Sequence, residues 1–147
     1  AAETLSDLRR EARRDDLFVH VNLTARELTK STIPALIDAL TTSYALPKRA
    51  IRIELTEQAA LRDEANSLAA AMALKAVGAG LVLDDFGTGH SSFAWLADLP
   101  FDSLKIDHGL TARLGEARTD TILNYSTAVH GRGEASIARA LAPASIN

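Results

Sequence analysis

Asn22, Glu54, Asp84, Asp85 and Lys105 are the residues whose types and spacing can do chemistry here. The first four offer hard oxygen donors, one amide and three carboxylates, which suit Mg2+ or Mn2+ rather than a soft metal. Adjacent aspartates such as Asp84 and Asp85 repel one another unless a cation lies between or beside them. Two neighbouring carboxylates can therefore serve two metals, which clamp a phosphodiester and lower the pKa of an attacking water. Lys105 reaches toward the same centre, where it balances the carboxylates, orients the water or offsets charge on a phosphate. His20 and Arg52 read as structural. The plainer alternative for the whole group is a salt-bridge network.

The elements that must position these residues alternate along the chain. A helix is expected over residues 3–15, with Leu5, Leu8 and Ala12 on one stripe and Arg9, Arg10, Arg13 and Arg14 largely on a solvated face. Leu17 to Leu23 reads as a strand, and Thr24 or Ser31 is placed to cap the next helix. A helix over 32–43 carries Ile33, Leu36, Ile37 and Leu40 on one face, with Pro34 in its first turn. Ile51 to Thr56 is a second strand, succeeded by a helix over roughly 62–77 that ends at Gly78 and Gly80. Leu81 to Asp84 is a third strand, Asp85 to Ser91 a Gly-rich loop, and Phe93 to Leu99 a short helix stopped by Pro100. Ser103 to Asp107 is a fourth strand, and a last helix is expected over about 117–130. Strand–helix alternation of this kind implies right-handed βαβ units and a parallel sheet.

Either a doubly wound sheet or a (β/α)8 barrel fits that pattern, and the parity of the polar residues favours the barrel. One face of each strand is apolar: Val19, Val21 and Leu23; Ile51, Ile53 and Leu55; Leu81 and Leu83; Leu104 and Ile106. The other face carries His20 and Asn22, Arg52 and Glu54, Val82 and Asp84, Lys105 and Asp107. Each strand thus places a polar group near its C-terminal end, where barrel active sites lie. Covered by helices on both sides, those charges would be buried without partners at high cost. A whole barrel takes about 250 residues, so four βα units make a partial α/β barrel, with open sheet edges and an apolar flank.

Composition narrows the setting. At 147 residues there is room for one compact domain, and an apolar share of 47% calls for a folded core. A net charge of -3 argues against a whole-chain electrostatic grip on DNA or RNA. The absence of cysteine removes disulfides, zinc–thiolate sites and thiol nucleophiles, and fits a cytoplasmic protein. No apolar run approaches the ~18 residues of a membrane span.

Four ordered motifs carry a resemblance. They are Val21-Asn22-Leu23-Thr24, Glu54-Leu55-Thr56-Glu57, Asp84-Asp85-Phe86-Gly87-Thr88-Gly89-His90-Ser91-Ser92 and Leu104-Lys105-Ile106-Asp107, with Leu99-Pro100-Phe101-Asp102 before the last. In this order and spacing, over roughly residues 5 to 130, the chain resembles the EAL phosphodiesterase family. The resemblance implies a modified (β/α)8 barrel and Mg2+- or Mn2+-dependent hydrolysis of cyclic-di-GMP to the linear dinucleotide. It implies that Asn22, Glu54, Asp84 and Asp85 are metal ligands and that Lys105 lies near the nucleophilic water. Asp107 matches a further acidic position near the metals. Glu57 matches the glutamate that braces the loop after Asp85, here Phe86, Gly87, Thr88 and Gly89, a loop linked in the family to dimerisation. The implied partners are cyclic-di-GMP, a second copy in a homodimer and other domains of a longer parent chain.

The departures bear on activity. The family's Glu-Ala-Leu segment lies upstream of the first strand seen here, and its glutamate is a ligand. A downstream Ala-Glu-Gly-Val-Glu stretch and a Gln-Gly element are not matched by the Ala-rich residues 131–147, where Glu134 does not stand in for the downstream glutamate. His90 replaces a usual tyrosine and reads as an exposed loop residue. Two expectations result: hydrolysis in the complete domain with this chain weak or inactive alone, or a non-catalytic module that binds cyclic-di-GMP or a protein.

Overall fold

Ile51 to Thr56 alternates apolar and polar side chains. In the computed structural model, which describes residues 1–87 and 99–111, it forms an inner strand of a parallel sheet. The strands are β1 (Val19–Asn22), β2 (Ile51–Thr56), β3 (Gly80–Phe86) and β4 (Ser103–Ile106), hydrogen-bonded in the order β1-β2-β3-β4. Every pair is parallel, with Asn22 opposite Glu54 and Thr56 opposite Asp84. A doubly wound sheet reverses its strand order at a switch point. Here each strand lies beside its sequence neighbour, the connectivity of a barrel.

The parity reading holds. Ile51, Ile53, Leu55, Leu81, Leu83 and Leu104 are buried, and Val19, Val21, Leu23 and Ile106 pack against them. They meet α3 (Thr32–Ser43) and α5 (Glu64–Ala76) through Ile37, Ala71 and Leu74. On the opposite face Phe18 and Arg52 stack, with the guanidinium 3.4 Å from the ring centroid. Gly80 stands opposite Arg52, and a Cβ there would lie 3.0 Å from the arginine stem.

Several elements differ from expectation. Helix α1 spans Ala2–Ala12, not 3–15, because Arg13 turns left-handed at φ 52°. The Arg13 and Arg14 N–H groups then donate back to Arg10 O and Arg9 O, a Schellman ending built without glycine. Its buried stripe is Ala2 and Leu5, while Leu8 is exposed. Arg9, expected on the solvated face, is largely buried and donates to the carbonyls of Leu17 and Asp15, latching α1 to the segment that enters β1. Helix α3 has the expected bounds, but Leu36, at the edge of its stripe, is exposed.

Two short helices were not foreseen. Thr24 caps α2 (Ala25–Leu28) through a capping box with Glu27, whereas Ser31 precedes α3 without a side-chain capping bond. The expected 62–77 helix is α5, capped by Asp63, and the second unforeseen helix, α4 (Glu57–Leu61), capped by Thr56, precedes it. The third strand also runs on through Asp85 to Phe86, so the loop begins at Gly87. Asp107 comes after β4 rather than ending it and precedes α6 (His108–Thr111). The helices expected over Phe93 to Leu99, save Leu99 itself, and over 117–130 lie outside the described residues, as do Thr88 and Gly89.

Candidate functional site

The last residues of adjacent parallel strands gather at one end of the sheet, and the chain puts oxygen donors there. Glu54, buried on β2, receives Lys105 Nζ from β4 and faces His20 Nδ1 from β1, both at its Oε1. The same ammonium lies 3.7 Å from Asp84 Oδ2. Glu54, Asp84 and Lys105, distant in sequence, are thus brought together across three strands.

A local break in β3 aims the aspartates. Leu83 pairs with Leu104 and Phe86 with Ile106, so three steps on β3 oppose two on β4. The extra residue makes a bulge at Asp84-Asp85, a device that bends a strand and re-aims its side chains. Asp85 sits at φ 55°, left-handed for a non-glycine residue, and is exposed. Its N–H donates to Asp84 Oδ1 at 3.0 Å. The bulge also restores Phe86 to the buried face.

The other expected residues lie around this cluster. Asn22 ends β1 beside Glu54 and is exposed. Glu57, almost wholly buried in the first turn of α4, accepts the Gly87 N–H at 2.8 Å, and Gly87 itself has φ 103°. Asp107 stands apart from the cluster in its contacts. Its Oδ1 accepts from Gly109 N–H at 2.8 Å and its own N–H donates to Phe86 O.

His20, read from sequence as structural, touches the cluster directly. Burial pushes its pKa down, and the Lys105 and Arg52 cations add to this against Asp84. A neutral ring donating from Nδ1 to the Glu54 carboxylate leaves Nε2 as the buried atom without a partner among the described residues. Parity already places His20 on the polar face of β1 with Asn22, and the contact with Glu54 is what turns a structural reading into a site residue.

The donor set suits a hard divalent cation: an amide oxygen and carboxylates at the same end of three neighbouring strands. Among the described residues no three His, Asp or Glu side chains converge as a ready cage. The positive charge that Glu54 and Asp84 share in this structure is the Lys105 ammonium. Glu54 also lines a cavity of about 560 Å3 that opens past Asn22, Thr24 and Thr56 to Arg62.

Such a sheet, with acids and a lysine at its C-terminal face, has the layout of a barrel-type α/β domain. The EAL domain family model matches residues 1–130, and the chain belongs to that family. It is similar to MucR of Pseudomonas aeruginosa, a bifunctional diguanylate cyclase/cyclic di-GMP phosphodiesterase, at 32% identity over 117 residues, or 80% of this chain and 17% of MucR. The EAL domain of Mycobacterium smegmatis DcpA superposes with a TM-score of 0.76 at 26% identity, covering 90% of this chain and 60% of that one. The MucR phosphodiesterase in complex with c-di-GMP gives 0.72 at 30% identity, covering 89% and 54%. The fold is therefore that of part of an EAL barrel, and the chain spans under a fifth of MucR's length. Among the described residues no helix is long and apolar enough to cross a membrane.

Proposed function

We propose that this chain supplies the central part of a cyclic-di-GMP phosphodiesterase site, hydrolysing the cyclic dinucleotide to linear pGpG in the complete domain and acting weakly or not at all alone. The observation that carries the reading is the convergence of Glu54, Asp84 and Lys105 at the strand ends of an EAL-family sheet. Asn22, Glu54, Asp84 and Asp85 would hold Mg2+ or Mn2+. The bound cation supplies charge neutralisation at the phosphate and a more acidic water. Water would add to phosphorus and give up a proton, one P–O bond to ribose would break, the departing ribose oxygen would take up a proton to become a hydroxyl, and the ring would open. Lys105 keeps Glu54 in place and presents an ammonium to the phosphate oxygens. Glu57 holds the start of the loop through Gly87, and Asp107 orders the turn after β4. A cytoplasmic setting, a homodimer and further domains of a longer parent belong to the same proposal.

A second reading, a module that binds the dinucleotide without cleaving it, draws support from the Lys105 ammonium already neutralising Glu54. Incubation with cyclic-di-GMP and Mn2+ separates the two. Linear product that Asp84→Ala abolishes supports hydrolysis. Binding without product from the complete domain supports the second reading, and product undiminished by Asp84→Ala defeats the site assignment.

A further inference from the structure

The geometry points to Arg62 as a phosphate-contacting residue that holds the non-scissile half of a bound cyclic dinucleotide; this rests on the function proposed above. The cavity beside Asn22 and Glu54 reaches Arg62, the residue that closes α4. A second hollow of about 350 Å3 shares Ala25, Ala59 and Arg62 with it and adds Arg26. Two alanines, each presenting only a methyl group, are common to both hollows. The two hollows therefore adjoin along Ala25, Ala59 and Arg62, with Glu54 on one side and Arg26 on the other.

Charge decides what the Arg62 end of the first hollow takes. The cluster at the strand ends is acidic, so a doubly anionic ligand needs positive charge at both ends of its length. Most arginines of the described residues are committed: Arg9 to two carbonyls, Arg10 to Asp7, Arg14 to Asp16, Arg49 to Asp102 and Arg52 to Phe18. Arg62 and Arg26 are exposed, and their guanidinium groups form no hydrogen bond or ion pair among the described residues. Asp63 also lines the second hollow, but its carboxylate is taken by Asn66. Arg62 borders both hollows, and a guanidinium fork matches a phosphodiester in bidentate fashion. The phosphate not attacked at the carboxylate end is the group it meets.

The test titrates cyclic-di-GMP and cyclic-di-AMP into the chain and into its Arg62→Ala and Arg62→Lys forms at two salt concentrations, in EDTA so that nothing is turned over. Arg62→Ala is expected to weaken both dinucleotides alike, roughly tenfold, with a shallower salt dependence and an unchanged circular dichroism spectrum. Arg62→Lys recovers part of the loss. Unchanged affinity in Arg62→Ala overturns the assignment while leaving the proposed function intact. Loss confined to the guanine dinucleotide also overturns it, because the contact is then to the base. Failure of the unsubstituted chain to bind either ligand also overturns this inference, whereas the function reading is decided by the hydrolysis assay with Mn2+.

Discussion

The Gly87 N–H donates to Glu57 Oε2 at 2.8 Å, joining the end of β3 to the first turn of the helix after β2 across thirty residues. Glu57 is almost wholly buried, so this carboxylate ties the loop to the frame. Glu57→Ala deletes the acceptor of a part-buried bond and leaves the N–H of the exposed Gly87 to solvent, at a cost of about 1 kcal/mol. Glu57→Gln keeps an amide oxygen and is expected to cost less. Urea denaturation gives the stabilities, and faster amide exchange at Gly87 in the alanine variant reports the released loop. Unchanged exchange there would show that Glu57 does not hold it.

At the cluster, Lys105 supplies the cation that Glu54 and Asp84 share. Lys105→Met removes that charge and leaves Glu54, which is buried, with only the neutral His20 against it. Because Lys105 is itself half exposed, the loss is expected to be about 2 kcal/mol, below that of a fully buried pair. Millimolar Mn2+ is expected to restore the melting temperature of the variant by more than it raises that of the parent. Equal responses to Mn2+ would argue against a cation site between these carboxylates.

The opposite end of the sheet predicts a purely structural effect. Asp102 accepts from Lys75 at 2.7 Å and from Leu81 N–H at 2.8 Å, and pairs with Arg49 at 2.6 Å. Asp102→Ala leaves a strand N–H and the half-buried Lys75 ammonium without their acceptor, a loss of about 3 kcal/mol. Dinucleotide affinity of the folded fraction is expected to stay the same, since Asp102 precedes β4 while the cluster lies beyond its far end. Thermal unfolding and a binding titration on one sample check both halves.

The parts of the fold legible in the sequence are those held by forces that leave a periodic trace. Burial of one strand face writes alternation, so Ile51, Ile53 and Leu55 against Arg52 and Glu54 showed both the sheet and the end at which Glu54 and Asp84 would meet. The bulge at Asp84-Asp85 leaves no such trace, because an extra residue is visible only as a mismatch in pairing with β4. Arg9 was misplaced for a related reason: its stem lies on the same stripe as Leu5, and only its acceptors, the carbonyls of Leu17 and Asp15, explain why burying it is tolerated. Helices α2 and α4 are too short for periodicity to register, although Thr24 and Glu27 stand at capping-box spacing.

That capping box carries its own pH dependence. Glu27 Oε2 accepts from Thr24 N–H at 2.9 Å and from the Thr24 hydroxyl at 2.7 Å, and these bonds hold its pKa below the ordinary 4.5. A carboxylate with a lowered folded pKa contributes stability that is present above 4.5 and is lost as pH falls through the lowered value. Carboxyl NMR titration is expected to give a midpoint for Glu27 under 4.5, and Thr24→Ala to move it part of the way back, since the backbone donor remains. A midpoint at the ordinary value in the parent would mean that the box does not form.

Asp85 sets stability against function at a single position. Its backbone is left-handed at φ 55°, a conformation that costs a residue with a Cβ roughly 1–2 kcal/mol, whereas glycine adopts it freely. Strain of this kind persists where the side chain is needed, and Asp85 is proposed as a metal ligand on the bulge. Asp85→Gly relieves the strain but adds freedom to the unfolded chain, so a net gain of about 0.5 kcal/mol is expected. The same change removes a carboxylate from the proposed cation site, and Mn2+ affinity is expected to fall about tenfold or more. Asp85→Asn keeps a side chain that tolerates the left-handed region, so it tests the charge with the backbone left alone. Chemical denaturation and Mn2+ titration of the parent and both variants give the two readouts. A stability that rises together with undiminished metal affinity would leave the bulge as a feature of the strand alone.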